Sequence, residues 1–237
     1  EYTSPTSDQY TNAPSDATKA WMRDHWDRAI VYSTYWDSKT GWFPNGWFYK
    51  DAYAIYYGST LAAAHPEWIL KDSAGNKLYI PFSCNGSYCT QYAADVGNQA
   101  FRDYWNNEAK TTLAKGYRGV HVDDVNMNLT VGNGSGAAVT PVDPRTGQLM
   151  TNDNWQRYFA EFMEQTRTAM PNAELVHNAR WFDAPNHDGQ DAEIQREIKA
   201  ADFFELERGF WDAGLTGGTG QWSVDRVMRF IDVVHGL

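Results

Sequence analysis

Segments that favour strands alternate with segments that favour helices along this chain, and their order restricts the fold more than any other feature of the sequence. The strand segments, rich in β-branched and aromatic residues, lie near residues 29–36, 52–58, 91–95, 118–124, 174–178 and 202–207. Amphipathic segments with helical spacing lie among and after them. Because a strand, a helix and a second strand in succession specify a parallel βαβ unit, the sequence predicts an α/β domain with a parallel sheet.

Polar side chains stand at the ends of most of these segments: Asp37, Asp95, Asp123, Asn178 and Glu207. In a (β/α)8 barrel, or TIM barrel, the active site lies at the carboxyl ends of the strands, so the pattern favours that fold. A closed barrel needs eight strands and six are found, so we expect the last two strands to be absent from this chain. We expect a polar N-terminal tail over residues 1–14 and a single barrel domain, truncated at its carboxyl end, over 15–237.

The segment GVHVDDVN, residues 119–126, predicts which side chains face the barrel interior. Successive side chains of a strand point to opposite faces, so His121 and Asp123 share one face and Val120, Val122 and Asp124 share the other. The valines suit the helix-covered outside, which leaves His121 and Asp123 pointing inward. We expect Asp124 to bind backbone N–H groups of the following loop.

The same alternation in DFFELERGF, residues 202–210, puts Phe203, Glu205 and Glu207 on one face. Glu207 lies nearest the strand end, at the rim predicted for Asp123. Two carboxyl groups at one rim are what glycoside hydrolysis needs, with Asp123 as nucleophile or base and Glu207 as proton donor. The alternative is that both acids form structural ion pairs with arginines such as Arg118, Arg180 or Arg208.

Three stretches resemble parts of (β/α)8 glycoside hydrolases: HPEWILKDSAGNKLYIP, GYRGVHVDDVNM and ADFFELERGF. They are most similar to the group called glycosyl hydrolase-like family 15, within the wider set of the α-amylase and α-galactosidase superfamilies. The resemblance spans roughly residues 29–210 and marks HPEW at 65–68 as a family feature. It implies Asp123 as the catalytic aspartate after the fourth strand and Glu207 as the proton donor. Asp124 and Glu205 are the neighbouring alternatives.

Further side chains are expected to bind substrate at the same rim. Tyr35, Trp36 and Asp37 follow the first predicted strand, Asn178, Arg180 and Trp181 follow the fifth, and His121 points inward. The chain is rich in aromatic residues, with 11 Trp, 14 Tyr and 11 Phe, and aromatic faces stack on sugar rings. We therefore predict that Trp36 and Trp181 stack on sugars, while Asp37, Asn178 and Arg180 bind hydroxyl groups.

Two other functions are compatible with these residues. A barrel of this kind could bind carbohydrate without cleaving it, because fold does not fix function. A metal-dependent polysaccharide deacetylase also uses paired acids, and His121, Asp123 and His177 are the candidate ligands. The six histidines form neither an H-x3-H nor an H-E-x-x-H pattern, so we predict neither a metal nor another cofactor.

Charge and cysteine content indicate the partners and the location. The net charge of -10, without a local cluster of basic residues, argues against nucleic acid as a partner. No run of 18 apolar residues predicts a membrane span. Cys84 and Cys89 are predicted to close a small loop as a disulfide, with two reduced thiols as the alternative, and a disulfide favours a secreted or extracytoplasmic protein. Asn85, Asn128 and Asn133 begin N-x-S/T triplets that are glycosylated only in some organisms.

Overall fold

The computed structural model describes residues 11–179, 191–206 and 224–237, which form a mixed α/β fold around a parallel sheet. The strands are β1 (Ala29–Val31), β2 (Gly46–Asp51), β3 (Ala54–Tyr56), β4 (Gln91–Ala93), β5 (Gly119–Val125), β6 (Glu174–Ala179) and β7 (Phe203–Phe204). The helices are α1 (Asp16–His25), α2 (Ser33–Trp36), α3 (Thr60–Ala64), α4 (Gln99–Leu113), α5 (Asn152–Ala169), α6 (Ala192–Ala200) and α7 (Val224–His235). Short 3-10 helices span Asp37–Lys39 and Pro66–Trp68.

Five parallel strands form the main sheet, in the order β1-β2-β5-β6-β7. The order follows the chain in one direction and does not reverse, unlike that of a doubly wound sheet. Connections between parallel strands are right-handed. When each new strand is added on the same side of the previous one, the connecting helices therefore lie on one face of the sheet. The predicted parallel α/β class is confirmed by this arrangement.

The predicted first and second strands need correction. The segment 29–36 is not one strand, because β1 ends at Val31 and the chain then turns into α2. The second parallel strand is Gly46–Asp51, ahead of the predicted 52–58. The Asp51 side chain accepts hydrogen bonds from the backbone N–H groups of Tyr53 and Ala54, both at 2.8 Å, which turns the chain out of the sheet directly after β2.

The residues that follow this turn form a separate two-stranded sheet. β3 pairs antiparallel with β4, so the segment near 91–95 is not a member of the parallel sheet. A hairpin around SAGNK, residues 73–77, forms beside it, with Lys71 and Lys77 paired. The predicted disulfide between Cys84 and Cys89 is also present. These segments together are called the 54–93 hairpin region.

Helices cover one face of the parallel sheet. Phe48 of β2 and Val120 and Val122 of β5 point to this face and are buried. Trp105 of α4 donates its indole N–H to the Asp51 carbonyl at 2.8 Å and packs on Phe162 of α5. The core therefore fixes β2 and β5 side by side, in a register that pairs Tyr49 with His121 and Asp51 with Asp123.

Helix α5 has local signals at both ends. Thr151 accepts a hydrogen bond from the Asn154 N–H as the N-cap, and Pro171 follows the last turn. Its apolar face buries a group of large side chains against the sheet: Trp155, Phe159, Phe162 and Met163. In the part of the chain that is described, no helix is both long and apolar enough to cross a bilayer.

A carboxylate joins the amino ends of four strands, β1, β2, β5 and β6. Glu174, which begins β6, accepts hydrogen bonds from Arg28 at 2.7 Å, Arg118 at 2.8 Å and Trp47 at 2.8 Å. The bonds from Arg28, and then those from Arg118 and Trp47, lower the pKa of Glu174 to about 2 against the opposing effect of burial. Gly119 permits the close approach here, because a Cβ at this position would lie 1.9 Å from the Glu174 carbonyl oxygen.

Candidate active site

Asp123 lies near the carboxyl end of β5, on the face of the sheet opposite the helices. Its Oδ2 accepts a hydrogen bond from the Tyr49 hydroxyl at 2.5 Å. Its Oδ1 accepts one from the Asn178 side-chain amide at 2.9 Å and one from the Asp124 backbone N–H at 2.9 Å. Burial, and then the negative charge of Asp123, raise the pKa of Tyr49, so the phenol keeps its proton and donates. Both carboxylate oxygens are thus fixed in direction.

A β-bulge directly after Asp123 separates the two neighbouring acids. The register between β5 and β6 shifts between Val122 and Val125, and Asp124 has a φ of 56°. That the Asp124 carboxylate binds backbone N–H groups of the next loop stays a prediction. Its Oδ1 accepts from the Asn126 side-chain amide at 3.1 Å, and its carbonyl accepts the Asn126 N–H at 2.6 Å. Asp124 therefore shapes the exit of the strand.

A cavity of about 440 Å³ opens above these residues. Its walls come from the carboxyl ends of β2 and β5 on one side and the 54–93 hairpin region on the other. The lining residues are Tyr49, Asp51, Ile80, Pro81, Phe82, Gln91, Asp123, Asp124, Asn126 and Thr130. The volume is within the range of small-molecule sites, and carboxylate, amide and aromatic groups converge in it.

Asp51 is a site residue that the sequence analysis missed. It ends β2 directly beside Asp123 and is buried. Burial raises the pKa of Asp51 well above its usual range, and the negative charges of Asp124 and Asp123 raise it further. The sequence does contain a signal for this strand. The Asn-Gly pair at 45–46 indicates a turn, the run WFYK after it favours a strand, and Asp51 stands at the end of that run.

His121 and Glu205 interact through their side chains. The His121 Nε2 and Glu205 Oε2 atoms are in direct contact, and the imidazole lies against Tyr49 with ring centroids 5.9 Å apart. His121 lies on the face opposite the helices, on the same face as Asp123, as the alternation predicted. Glu205, the alternative proton donor, contacts His121, and neither residue is among those that line the cavity.

The three candidates after the first strand lie at the wrong end of the sheet. Asp37 is hydrogen-bonded to Tyr117 at 2.7 Å and Lys115 at 2.8 Å, residues that precede the amino end of β5. Trp36 is 0% exposed and cannot stack on a ligand. Tyr35 bonds through its hydroxyl to Thr11 at 2.5 Å. The prediction failed because α2 turns the chain back after Val31.

Of the remaining candidate site residues, Asn178 is among the residues that the structure describes and the others are not. Asn178 lies beside Asp123, as its place at a strand end suggested. Glu207, Arg180, Trp181 and Arg208 lie outside the described residues.

The candidate metal ligands lie on opposite faces of the sheet. His177 points to the helix side, where its Nδ1 is 2.6 Å from Glu197 of α6. His121 and Asp123 point to the other face, so His121, Asp123 and His177 do not converge. Burial raises the pKa of Glu197, while its contact with His177 lowers it. This buried pair joins α6 to β6 and is remote from the cavity.

Comparisons with known proteins identify glycoside hydrolases. The sequence profile described as "Hypothetical glycosyl hydrolase family 15" matches residues 28–195. An α-galactosidase from Thermus thermophilus, solved with p-nitrophenyl α-D-galactopyranoside, is 16% identical with a TM-score of 0.51, over 93% of this chain and 45% of that one. The glycoside hydrolase domain of PelA from Pseudomonas aeruginosa is 13% identical with a TM-score of 0.46, over 69% of this chain and 57% of that one.

The α-galactosidase likeness shows a shared fold. This chain spans about half the length of the two solved structures. No curated protein matches the sequence.

Proposed function

Because the chain belongs to the hypothetical glycosyl hydrolase family 15, we propose that it cleaves glycosidic bonds of an oligosaccharide or polysaccharide with a pair of carboxyl groups. The observation that carries the proposal is the position of Asp123. It lies in a cavity at the carboxyl end of a central parallel strand, with its two oxygens held by Tyr49 and Asn178. Active sites of (β/α) barrels are built at this end of the strands.

Asp123 acts as the nucleophile or as the base. As a nucleophile, its carboxylate forms a bond to the anomeric carbon while the bond to the leaving oxygen breaks and a second carboxyl group protonates that oxygen. As a base, it removes a proton from the water that attacks the same carbon. The Tyr49 and Asn178 hydrogen bonds hold the carboxylate in one orientation, which reduces the cost of positioning it for attack.

Glu207 is the proposed proton donor, with Glu205 as the alternative. Both residues follow β7, the strand next to β6 in the sheet order. The contact between Glu205 and His121 favours Glu207 for this role, because the Glu205 carboxyl group is already engaged. Asp124 supports the site from the exit of β5.

The parallel strands are proposed to be part of a (β/α)8 barrel within one catalytic domain over residues 15–237. The order of the strands supports this, since each step moves in one direction with helices on one face. The Cys84–Cys89 disulfide supports a secreted or extracytoplasmic location, where such bonds persist.

The test is sugar release from a panel of soluble polysaccharides by the native chain, Asp123→Asn and Glu207→Gln. Asp24→Asn, on the exposed side of α1, is the matched control. We expect each site variant to lose roughly 10²–10⁴-fold in rate, while the control is unchanged and circular dichroism shows all four proteins folded. Equal cleavage by folded Asp123→Asn would refute the assignment, and glycan binding without cleavage by the native chain would indicate a binding protein.

A further inference from the structure

We propose that three exposed aromatic side chains around the cavity, Tyr32, Tyr56 and Phe82, bind successive sugar rings of a glycan chain. These three are called the aromatic rim. The inference rests on the proposed function and deepens it, because it assigns an extended chain rather than a single sugar as the ligand. Sugar rings present apolar C–H faces that stack on aromatic rings and hydroxyl edges that bind polar groups.

Phe82 is held at the edge of the cavity by a constrained turn. Its side chain lines the cavity, yet the residue is 65% exposed. The Phe82 N–H donates to the Ile80 carbonyl at 2.7 Å, and Ser83 has a φ of 50°. The Cys84–Cys89 disulfide closes the loop that follows. The turn and the disulfide loop hold the Phe82 ring in an exposed position. Exposed apolar surface of this kind is typical of binding sites.

The disulfide loop is itself fixed to the long segment after β5. Gly134 lies so close to it that a Cβ there would be 2.2 Å from the Ser87 carbonyl oxygen. The Cys89 Sγ is 3.4 Å from the Asn133 carbonyl oxygen. Phe82 therefore projects from a braced support, which limits the ordering entropy lost when a ligand binds.

Tyr56 extends the rim along β3. It pairs directly with Gln91 of β4, and directly opposed residues of antiparallel strands point to the same face. Gln91 lines the cavity, so Tyr56, which is 56% exposed, lies on the cavity side of this hairpin. The preceding residue, Ile55, points to the other face and is fully buried.

Tyr32 flanks the cavity from the parallel sheet. It follows the last residue of β1 and is 44% exposed. Its ring contacts Tyr49 edge to face, with centroids 5.1 Å apart, and Tyr49 donates to Asp123. The rim thus has one ring on the sheet side, next to the Tyr49–Asp123 pair, and two on the hairpin side. A glycan chain bound by both groups of rings would cross the cavity that holds Asp123.

Polar groups of the same cavity suit the hydroxyl edges of such a chain. Asp124, Asn126 and Gln91 line the cavity together with Tyr49 and Phe82 and supply carboxylate and amide groups. Apolar platforms combined with hydrogen-bonding groups are the chemistry of a carbohydrate site.

The test compares chain lengths in a background that does not cleave. Asp123→Asn is titrated calorimetrically with maltohexaose, cellohexaose and chitohexaose and with the matching monosaccharides. Phe82→Ala and Tyr56→Ala are then added singly. We expect each to weaken binding of the preferred hexasaccharide roughly three- to tenfold and to leave the monosaccharide affinity unchanged.

Tyr57→Ala is the matched control, because Tyr57 is the next residue along the same hairpin and is 47% exposed. Its ring stacks on Tyr88 at 4.3 Å and contacts Tyr92, residues that do not line the cavity. Equal weakening by Tyr57→Ala, or no weakening by Phe82→Ala and Tyr56→Ala, would overturn the inference, as would a panel in which no hexasaccharide binds. Rim-dependent binding by a native chain that cleaves nothing would support the rim and refute the proposed hydrolase.

Discussion

Two acids side by side at the ends of β2 and β5 have different environments. Asp123 is held by donors on both oxygens, from Tyr49 and Asn178. Asp51 is buried next to it and near Asp124, and burial together with these charges raises the pKa of Asp51. Hydrogen bonds from the Tyr53 and Ala54 N–H groups oppose that rise without cancelling it. Burial and neighbouring carboxylates are the two effects by which many enzymes raise the pKa of a carboxyl group.

The raised pKa of Asp51 predicts how stability depends on pH. The folded chain keeps a proton on Asp51 that the unfolded chain releases above the ordinary carboxyl pKa of 3.8, so the free energy of unfolding falls as pH rises from there through the folded pKa. Asp51→Asn should reduce this fall, as measured by urea unfolding at several pH values between 4 and 8. Asp24→Asn, at an exposed position, should leave the slope unchanged. A native slope that persists in Asp51→Asn would contradict the account.

The elements that carry the site were predictable to different degrees. Which side chains of β5 face the helices was predictable. Val120 and Val122 alternate with His121 and Asp123, and the helices pack on the face that carries the valines. The end of β1 was not, because Tyr32 and the residues after it have strand-like composition but fold into α2. The bulge at Asp124 also leaves no sequence signal, since its positive φ occurs without glycine.

The hairpin of β3 and β4 was mistaken for parallel strands for a related reason. Its residues favour strands, and composition does not state which strand will be the partner. The turn made by Asp51 decides the outcome, through two hydrogen bonds from the backbone that follows. The aromatic rim was missed with it, because the positions of Tyr56 and Phe82 depend on that pairing.

Glu174 joins the start of β6 to the residues before β1 and β5 and to Trp47 of β2. Its lowered pKa of about 2 means that this stabilisation is fully present above the ordinary carboxyl pKa of 4.5 and is lost as pH falls toward 2. Glu174→Gln should lower the free energy of unfolding at pH 7 by about 2 kcal/mol, because hydrogen bonds from Arg28 and Arg118 lose a charged acceptor.

Urea unfolding at pH 7 and pH 3 measures this effect, and Glu108→Gln, on the exposed side of α4, is the control. The difference between the native chain and Glu174→Gln should be smaller at pH 3, because the Glu174 carboxyl group of the unfolded chain, with its ordinary pKa of 4.5, is mostly protonated there. A difference that is equal at both pH values would show that charge on Glu174 contributes nothing.

For the whole molecule, the parallel sheet supplies the rigid floor of the cavity and the 54–93 hairpin region supplies its opposite wall. The Cys84–Cys89 bond closes a loop with a sequence separation of 5 next to that wall. Replacing both cysteines by serine should lower the free energy of unfolding by about 2 kcal/mol, since a short loop gains conformational entropy in the unfolded chain. Urea unfolding of the native and variant proteins, each with and without reductant, measures it. Identical stability of all four samples would contradict this role.

The central claim is that Asp123 reacts at, or activates water for, the anomeric carbon. Asp123→Ala removes the carboxylate and leaves space that a small anion can occupy, so sodium azide should restore turnover of the preferred substrate. The measurement is mass spectrometry of the products formed by Asp123→Ala with and without azide, with Asp24→Ala as the control. The account predicts a glycosyl azide with Asp123→Ala and none with Asp24→Ala. Native-like hydrolysis by folded Asp123→Ala in the absence of azide would contradict it.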